Sequence, residues 1–278
     1  MRVVDDGAIK DHASRRFRSE YDYALFEYHR SAKVIAFVER TGARLGGRIL
    51  DAGCGGGGMP LSFAEEAGTV VGVDLVDRFR DAAVRLARER GVDNLSFARA
   101  DGQALPSRSG SFDVVFSHAV IEHVANAVQY LSECRRVLAQ GGWMYLSTAP
   151  YLSFAGAHLP RLKAPAPLHL VIGRRAAFAT FRFLARSAPW TLREPAHENS
   201  FIRAAQRGEM KEDDLLEKVR VARLRAQIAS AGWRIVNEHL HATGVVRRLP
   251  DAVARRLVGS PLTQDILISS MEYVLERA

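Results

Sequence analysis

Ile49-Leu50-Asp51-Ala52-Gly53-Cys54-Gly55-Gly56-Gly57-Gly58 decides the fold. A short apolar run ends in an acid, passes into a glycine loop and opens a helical stretch from about Pro60 to Ala67. Glycines permit a tight turn and let a ligand approach the backbone, and the first amides of the helix are free donors aimed at that ligand. Around this unit strand and helix patterns alternate. The strands are Thr69–Asp74, Leu95–Ala98, Phe112–Ser117 and Trp143–Thr148, and the helices span 20–41, 78–90 and 127–139, the last ended by Gly141-Gly142. Continuous apolar strands joined by helices imply right-handed crossovers and a parallel sheet covered on both faces.

Beyond Pro150 the pattern weakens. Residues 151–200 contain Pro160, Pro165, Pro167, Pro189 and Pro195 and carry no strand signal, which reads as a cap. A helix over 213–230, strands at 233–238 and 266–274 and a short helix near 251–257 complete the chain. Four segments follow: a helical segment over 1–46 covering the ligand loop, a core over 47–150, a substrate-side cap over 151–212 and a closing unit over 213–278. The fold class is α/β, a Rossmann-like, mostly parallel seven-stranded sheet with helices on both faces and a cap inserted after strand five.

Two cofactors fit the loop. Gly53-x-Gly55-x-x-Gly58 satisfies the dinucleotide fingerprint, whereas Asp51-x-Gly53-x-Gly55 suits S-adenosyl-L-methionine, whose ammonium an acid at the strand end can hold. Asp74, with Leu75 after it, closes the next strand 23 residues on, and its carboxylate serves ribose hydroxyls in either case. Asp101-Gly102-Gln103 lies where an acid receives an adenine amino group. Ser117-His118 and then Ile121-Glu122-His123-Val124 follow strand four at the carboxyl edge of the sheet, where ligands sit. There is no second mononucleotide-binding half to support a nicotinamide enzyme.

These motifs, with Val-Val-Gly-Val-Asp at 70–74, Ala-Asp-Gly-Gln-Ala-Leu-Pro at 100–106, Phe-Asp-Val-Val-Phe-Ser at 112–117 and Arg-Arg-Val-Leu-Ala-Gln-Gly-Gly at 135–142, resemble the class I S-adenosylmethionine-dependent methyltransferases of type 11. The resemblance runs from Arg48 to Pro150 and into the last two strands, and it implies a last strand running antiparallel. It assigns Asp51, Gly53, Cys54, Gly55, Asp74, Leu75, Asp101, Gly102, Gln103, Ser117 and His118 to the cofactor, with S-adenosyl-L-homocysteine as product. Cys54 also has an ordinary reading as a small side chain in a tight turn.

His123 is the candidate general base: histidine titrates near neutrality and can take a proton from an alcohol. Its alternative role is to brace the next loop. Pro150-Tyr151-Leu152-Ser153-Phe154-Ala155-Gly156-Ala157-His158 resembles a segment of methyltransferases of surface-polysaccharide and glycolipid synthesis, which places Tyr151, His158 and also His169 near the acceptor. In some quinone methyltransferases the segment after strand four carries an extra acid and joins a metal site. Val120 stands here where a ligand would be wanted, and no other acid–histidine cluster is evident, so no metal is expected.

The chain has a formal net charge of +8, and no Asp or Glu occurs between Glu133 and Glu194. A helix over 174–186 sets Arg175, Arg182 and Arg186 on one side and Ala177, Phe181 and Leu184 opposite. It reads as a cap helix with solvated arginines, as a peripheral contact with an anionic membrane, or as a grip on a phosphate-bearing, lipid-linked substrate. The two cysteines form neither a metal spacing nor a disulfide framework. With no signal-peptide pattern and no spanning apolar run, the expected location is cytoplasmic, with contact at the inner face of the membrane as an option. The expected activity is methyl transfer to a small-molecule or lipid-linked hydroxyl. An RNA or protein methyltransferase and a nicotinamide oxidoreductase are the alternatives. No nucleic-acid module or Asn/Asp-Pro-Pro-Tyr tetrapeptide is present, and the sequence assigns no oligomeric state.

Overall fold

The computed structural model describes residues 4–77, 79–153, 156, 158, 162–163, 168–193, 195–210 and 215–278. The expected Pro160, Pro165 and Pro167 of the cap, Phe154, Ala155 and Ala157 of its motif, and the first two residues of the 213–230 helix lie outside them.

Helices α1 (Asp6–Arg15) and α2 (Glu20–Arg40) precede the core. The core runs β1 (Arg48–Ala52), α3 (Gly58–Ala64), β2 (Thr69–Asp74), α4 (Phe79–Glu89), β3 (Leu95–Arg99), β4 (Phe112–His118), α5 (Ala127–Val137) and β5 (Leu138–Thr148). The cap holds α6 (Leu168–Val171), α7 (Arg174–Ser187) and α8 (Ser200–Arg207). The chain closes with α9 (Val221–Ser230), β6 (Trp233–Ala242), α10 (Asp251–Gly259), α11 (Gln264–Leu267) and β7 (Ile268–Arg277). The sheet has seven strands in the order β3-β2-β1-β4-β5-β7-β6, all parallel except β7, which pairs antiparallel with both β5 and β6. Strand order reverses between β1 and β4, so their carboxyl ends flank a crevice of the kind that binds ligands in open α/β sheets.

Alternation along each strand supplies two cores. Leu50, Val115 and Leu146 pack with Tyr130 and Leu131 of α5 and Leu224 and Ile228 of α9. Ile49, Phe116 and Tyr145 face the other way, onto Ile35 and Val38 of α2 and Phe63 of α3. The cap has a core of its own, in which Phe178, Phe181 and Ala185 of α7 meet Leu192, Ile202 and Ala205. It is tied to the N-terminal segment: Ser200 N–H donates to Phe17 O at 2.7 Å, and Phe201 meets Phe17 edge-on at 5.2 Å.

Several boundaries differ from expectation. α1 lies within the segment expected to be helical, but its own bounds have no sequence signal: it buries only Ile9, so it carries little apolar period, and the Asp5 cap on Ala8 N–H (2.9 Å) helps define its start. The helix expected over 213–230 begins only at Val221, whose N–H is taken by Asp265 Oδ1 at 2.8 Å, a cap supplied from a distant segment. Gln264–Leu267 coils before β7 begins, because a short apolar run does not distinguish helix from strand. β6 extends to Ala242 because its pairing with β7 continues that far. α5 ends at Val137, and β5 starts at once because Leu138 already pairs with Phe112.

Gly58 fixes the approach of α2 to α3. A Cβ there would overlap the carbonyl oxygen of Ala24, and backbone cannot step aside as a flexible side chain would. Gly58→Ala is therefore expected to cost about 3 kcal/mol or more, the upper end for overpacking, and to lower the urea midpoint in proportion. An unchanged midpoint would mean that the two helices are free to separate.

Candidate active site

The glycine loop folds back over β2. Gly53 and Cys54 N–H both donate to Val73 O, at 2.7 and 2.9 Å, and Gly53 and Gly55 take left-handed backbones (φ 93° and 53°). A side chain at Gly53 would run into Val120, so the segment after β4 lies directly against the loop. Asp74 is held at the mouth: its Oδ2 accepts from Gly55 N–H at 2.8 Å and its Oδ1 from Val76 N–H at 2.9 Å. Leu75 beside it is 60% exposed, an apolar surface at the edge of the loop.

Asp51 is buried, and its carboxyl is pushed well above the usual range by burial, by Glu27 and by Asp74. The same three acids, after burial itself, push the Cys54 thiol up, which leaves it an inert small side chain. Glu27 comes from α2 and had no signal in the sequence, because it is one acid among many on a long polar-faced helix. Arg30, one turn on, lies 3.8 Å from Glu27, and its buried Nε finds no acceptor among the described residues. Three converging carboxylates repel a pyrophosphate and attract a cation. S-adenosylmethionine carries an ammonium and a sulfonium for the acids and a carboxylate for the Arg30 guanidinium, so the residues present fit it and disfavour a dinucleotide.

Asp101 is exposed at the end of β3. Its Oδ1 accepts from Gln103 N–H at 2.8 Å, and Gln103 Oε1 accepts from Asn126 N–H, also at 2.8 Å. The Gln103 side chain therefore ties this loop to the start of α5. Gly102 is required because a Cβ would press into the Tyr130 ring. Tyr130 O–H reaches both Ala52 O (3.0 Å) and Ser117 Oγ (2.7 Å), joining the ends of β1 and β4. The Ser117 hydroxyl is engaged in that tie. His118 turns to the opposite face, stacked on Tyr145 at 6.2 Å. Burial, and then Arg30, hold it neutral, far below the ordinary histidine range.

After β4 comes a single 3₁₀ turn, Ile121–His123. Glu122 is buried within it. Its Oε2 accepts from Thr148 Oγ1 at 2.8 Å, and its Oε1 lies 3.5 Å from His158 Nε2. The His158 ring centroid is 5.2 Å from that of His123. Ala119 and His158 are the two non-glycine residues with left-handed backbones among those described (φ 57° and 51°), and both border this cluster. Such backbone conformations concentrate at functional sites. The expectation that no acid–histidine cluster forms here needs correction: the cap brings His158 to Glu122 and His123, and one donor atom from each lies within 4.8 Å of the others. The sequence hid this because His158 is 35 residues from His123. Tyr151 packs against buried His169 with centroids 6.3 Å apart, so both stand in the cap beside this edge.

Comparison with known proteins agrees with this geometry. A family described as a methyltransferase domain matches residues 50–146. The ubiquinone biosynthesis O-methyltransferase of Paracidovorax citrulli (strain AAC00-1) is 35% identical over 115 residues, covering 41% of this chain and 48% of that protein. The chain thus matches about half the length of the first such relatives. A crystal structure of an S-adenosylmethionine-dependent methyltransferase from Mesorhizobium loti shares the fold, with a TM-score of 0.52, 20% identity and coverage of 87% of this chain and 96% of that one. The [4+2]-cyclase SpnF shares it too, with a TM-score of 0.51, 16% identity and coverage of 90% and 82%. One fold thus serves different chemistries, and activity has to be argued from the site. Residues 50–146 match a methyltransferase-domain family, and the chain shares the fold of a solved S-adenosylmethionine-dependent methyltransferase.

Proposed function

We propose that this chain transfers a methyl group from S-adenosyl-L-methionine to a hydroxyl of a small-molecule acceptor, such as a sugar, glycolipid or secondary metabolite. The observation that carries the reading is the packing of Val120 against Gly53. It sets a site for a cationic ligand on one side and the Glu122–His123–His158 cluster on the other. The bound cofactor supplies an electrophilic methyl on a positively charged sulfur. With the cofactor held by Asp51, Glu27, Asp74 and Arg30, His123 would take the proton of the acceptor hydroxyl as the methyl moved to oxygen and sulfur kept the C–S pair. Glu122 lends negative charge to the imidazolium, and His158, held beside the Glu122 carboxylate, is a positioning residue. The O-methyltransferase name of the matched relatives supports an oxygen acceptor. The acids ringing the cofactor mouth disfavour a nucleic-acid backbone there, so RNA is the less favoured acceptor.

The donor cluster favours one other reading, in which Glu122, His123 and His158 hold a divalent cation. We prefer the proton relay because Thr148 already occupies one oxygen of Glu122. Turnover is expected to survive extensive dialysis against a chelator. Loss of turnover that Mg²⁺ or Zn²⁺ restores would assign the three side chains to metal.

Arg30 is expected to clamp the cofactor carboxylate. Arg30→Met should weaken S-adenosylhomocysteine binding by about 10–100-fold in calorimetry. Equal affinity would remove Arg30 from the site.

A further inference from the structure

We propose that the cap is a docking surface for an anionic lipid bilayer, entered by Phe183 and Trp190. This goes beyond methyl transfer and does not depend on it. Residues 168–193 carry Arg174, Arg175, Arg182, Arg186 and Arg193 and no acid. The same stretch displays Val171 (78% exposed), Ile172, Phe183 (65%) and Trp190 (69%).

In α7 the buried residues Ala177, Phe178, Phe181 and Ala185 occupy one side, against the core of the cap. At 100° per residue Phe183 points the opposite way, between Ala176 and Ala179, with Arg175, Arg182 and Arg186 along one flank. Val171 and Ile172 precede the helix and Trp190 follows it, so large apolar side chains are strung along its full length of about 21 Å. Soluble surfaces show such residues singly; a run of them among arginines, with no acid, matches lipid phosphates above an apolar interior. Tryptophan favours that boundary because its ring is apolar and its N–H is wet. The charge selects the occupant. A second copy of this face would set Arg175, Arg182 and Arg186 against their own equivalents, and a duplex would leave Phe183 and Trp190 in water.

Trp190 provides the readout, because the other two tryptophans, Trp143 and Trp233, are buried. The full chain is mixed with phosphatidylcholine vesicles and with vesicles of phosphatidylcholine and phosphatidylglycerol. Flotation with the anionic vesicles only, a blue shift of Trp190 emission, quenching by brominated acyl chains and release by salt are expected. Phe183→Ser with Trp190→Ser should cut vesicle affinity about tenfold or more, and Arg175→Glu with Arg182→Glu should abolish it. Retained S-adenosylhomocysteine binding and an unchanged Tm show that each variant is folded. No flotation at low salt, or flotation that the folded variants do not weaken, overturns the proposal. So does Trp190 emission already blue without lipid in a dimer that Phe183→Ser dissociates, which would give this face to a second copy of the chain.

Discussion

Asp51→Asn is expected to stabilise the ligand-free protein while abolishing its response to cofactor. Asp51 is buried among Glu27 and Asp74, and its carboxyl is raised first by burial and then by those two charges. The folded state therefore holds the Asp51 proton more tightly than the unfolded chain does. The sign follows: this group's contribution is most favourable below the ordinary carboxylate pKa and is lost as pH rises toward the raised value in the folded protein. At neutral pH the asparagine removes the cost of holding a buried acid beside Glu27 and Asp74, so the Tm of the ligand-free variant should rise. The gain should fade as pH falls toward 4. The cationic cofactor interacts best with ionised Asp51, so wild-type affinity should decline as pH falls through the raised value, and the variant should show neither the affinity nor the trend. Scanning calorimetry from acid to neutral pH, with and without S-adenosylhomocysteine, reads both effects. A lower Tm in the ligand-free variant at neutral pH would show that Asp51 is a structural acid and not one held for a cationic ligand.

His123→Ala is expected to lower kcat by about 10²–10⁴-fold, the span typical of a lost general base, with S-adenosylhomocysteine affinity unchanged. Glu122→Gln keeps the shape and the Thr148 contact but removes the charge, so it should produce a smaller loss of kcat than His123→Ala. His158→Ala should fall between wild type and His123→Ala. The reverse order of the two histidines would assign the base to His158, and unchanged turnover in His123→Ala would remove it from catalysis.

The glycine loop and the strand-end acids of the candidate site are legible in sequence because each part is local. Asp51, the glycines and Asp74 lie at the ends of adjacent strands, and a strand followed by a glycine loop and a helix leaves few alternatives. What stayed hidden depends on contacts across the chain. Glu27 and Arg30 reach the site only because Gly58 lets α2 lie on α3. His158 joins Glu122 only because the cap returns over the carboxyl edge, where its Nε2 comes within 3.5 Å of Glu122 Oε1. Ser117, His118 and Gln103 were grouped with the cofactor by position along the chain. Their side chains also meet Tyr130, Tyr145 and the Asn126 N–H, which come from other elements, and no periodicity reports such pairings. The N-cap of α9 likewise comes from Asp265, 44 residues away, so the start of that helix was invisible locally.

Methyl labelling tests the central claim most directly. The purified protein is incubated with methyl-labelled S-adenosylmethionine and a demethylated host lysate, and the label is partitioned between organic, small aqueous and macromolecular fractions. The expected result is alkali-stable label in the organic or small aqueous fraction, as a methyl ether requires, falling to near background with His123→Ala. Label in nuclease-sensitive or protein-bound material, or no transfer by a protein that binds S-adenosylhomocysteine, would contradict small-molecule O-methylation.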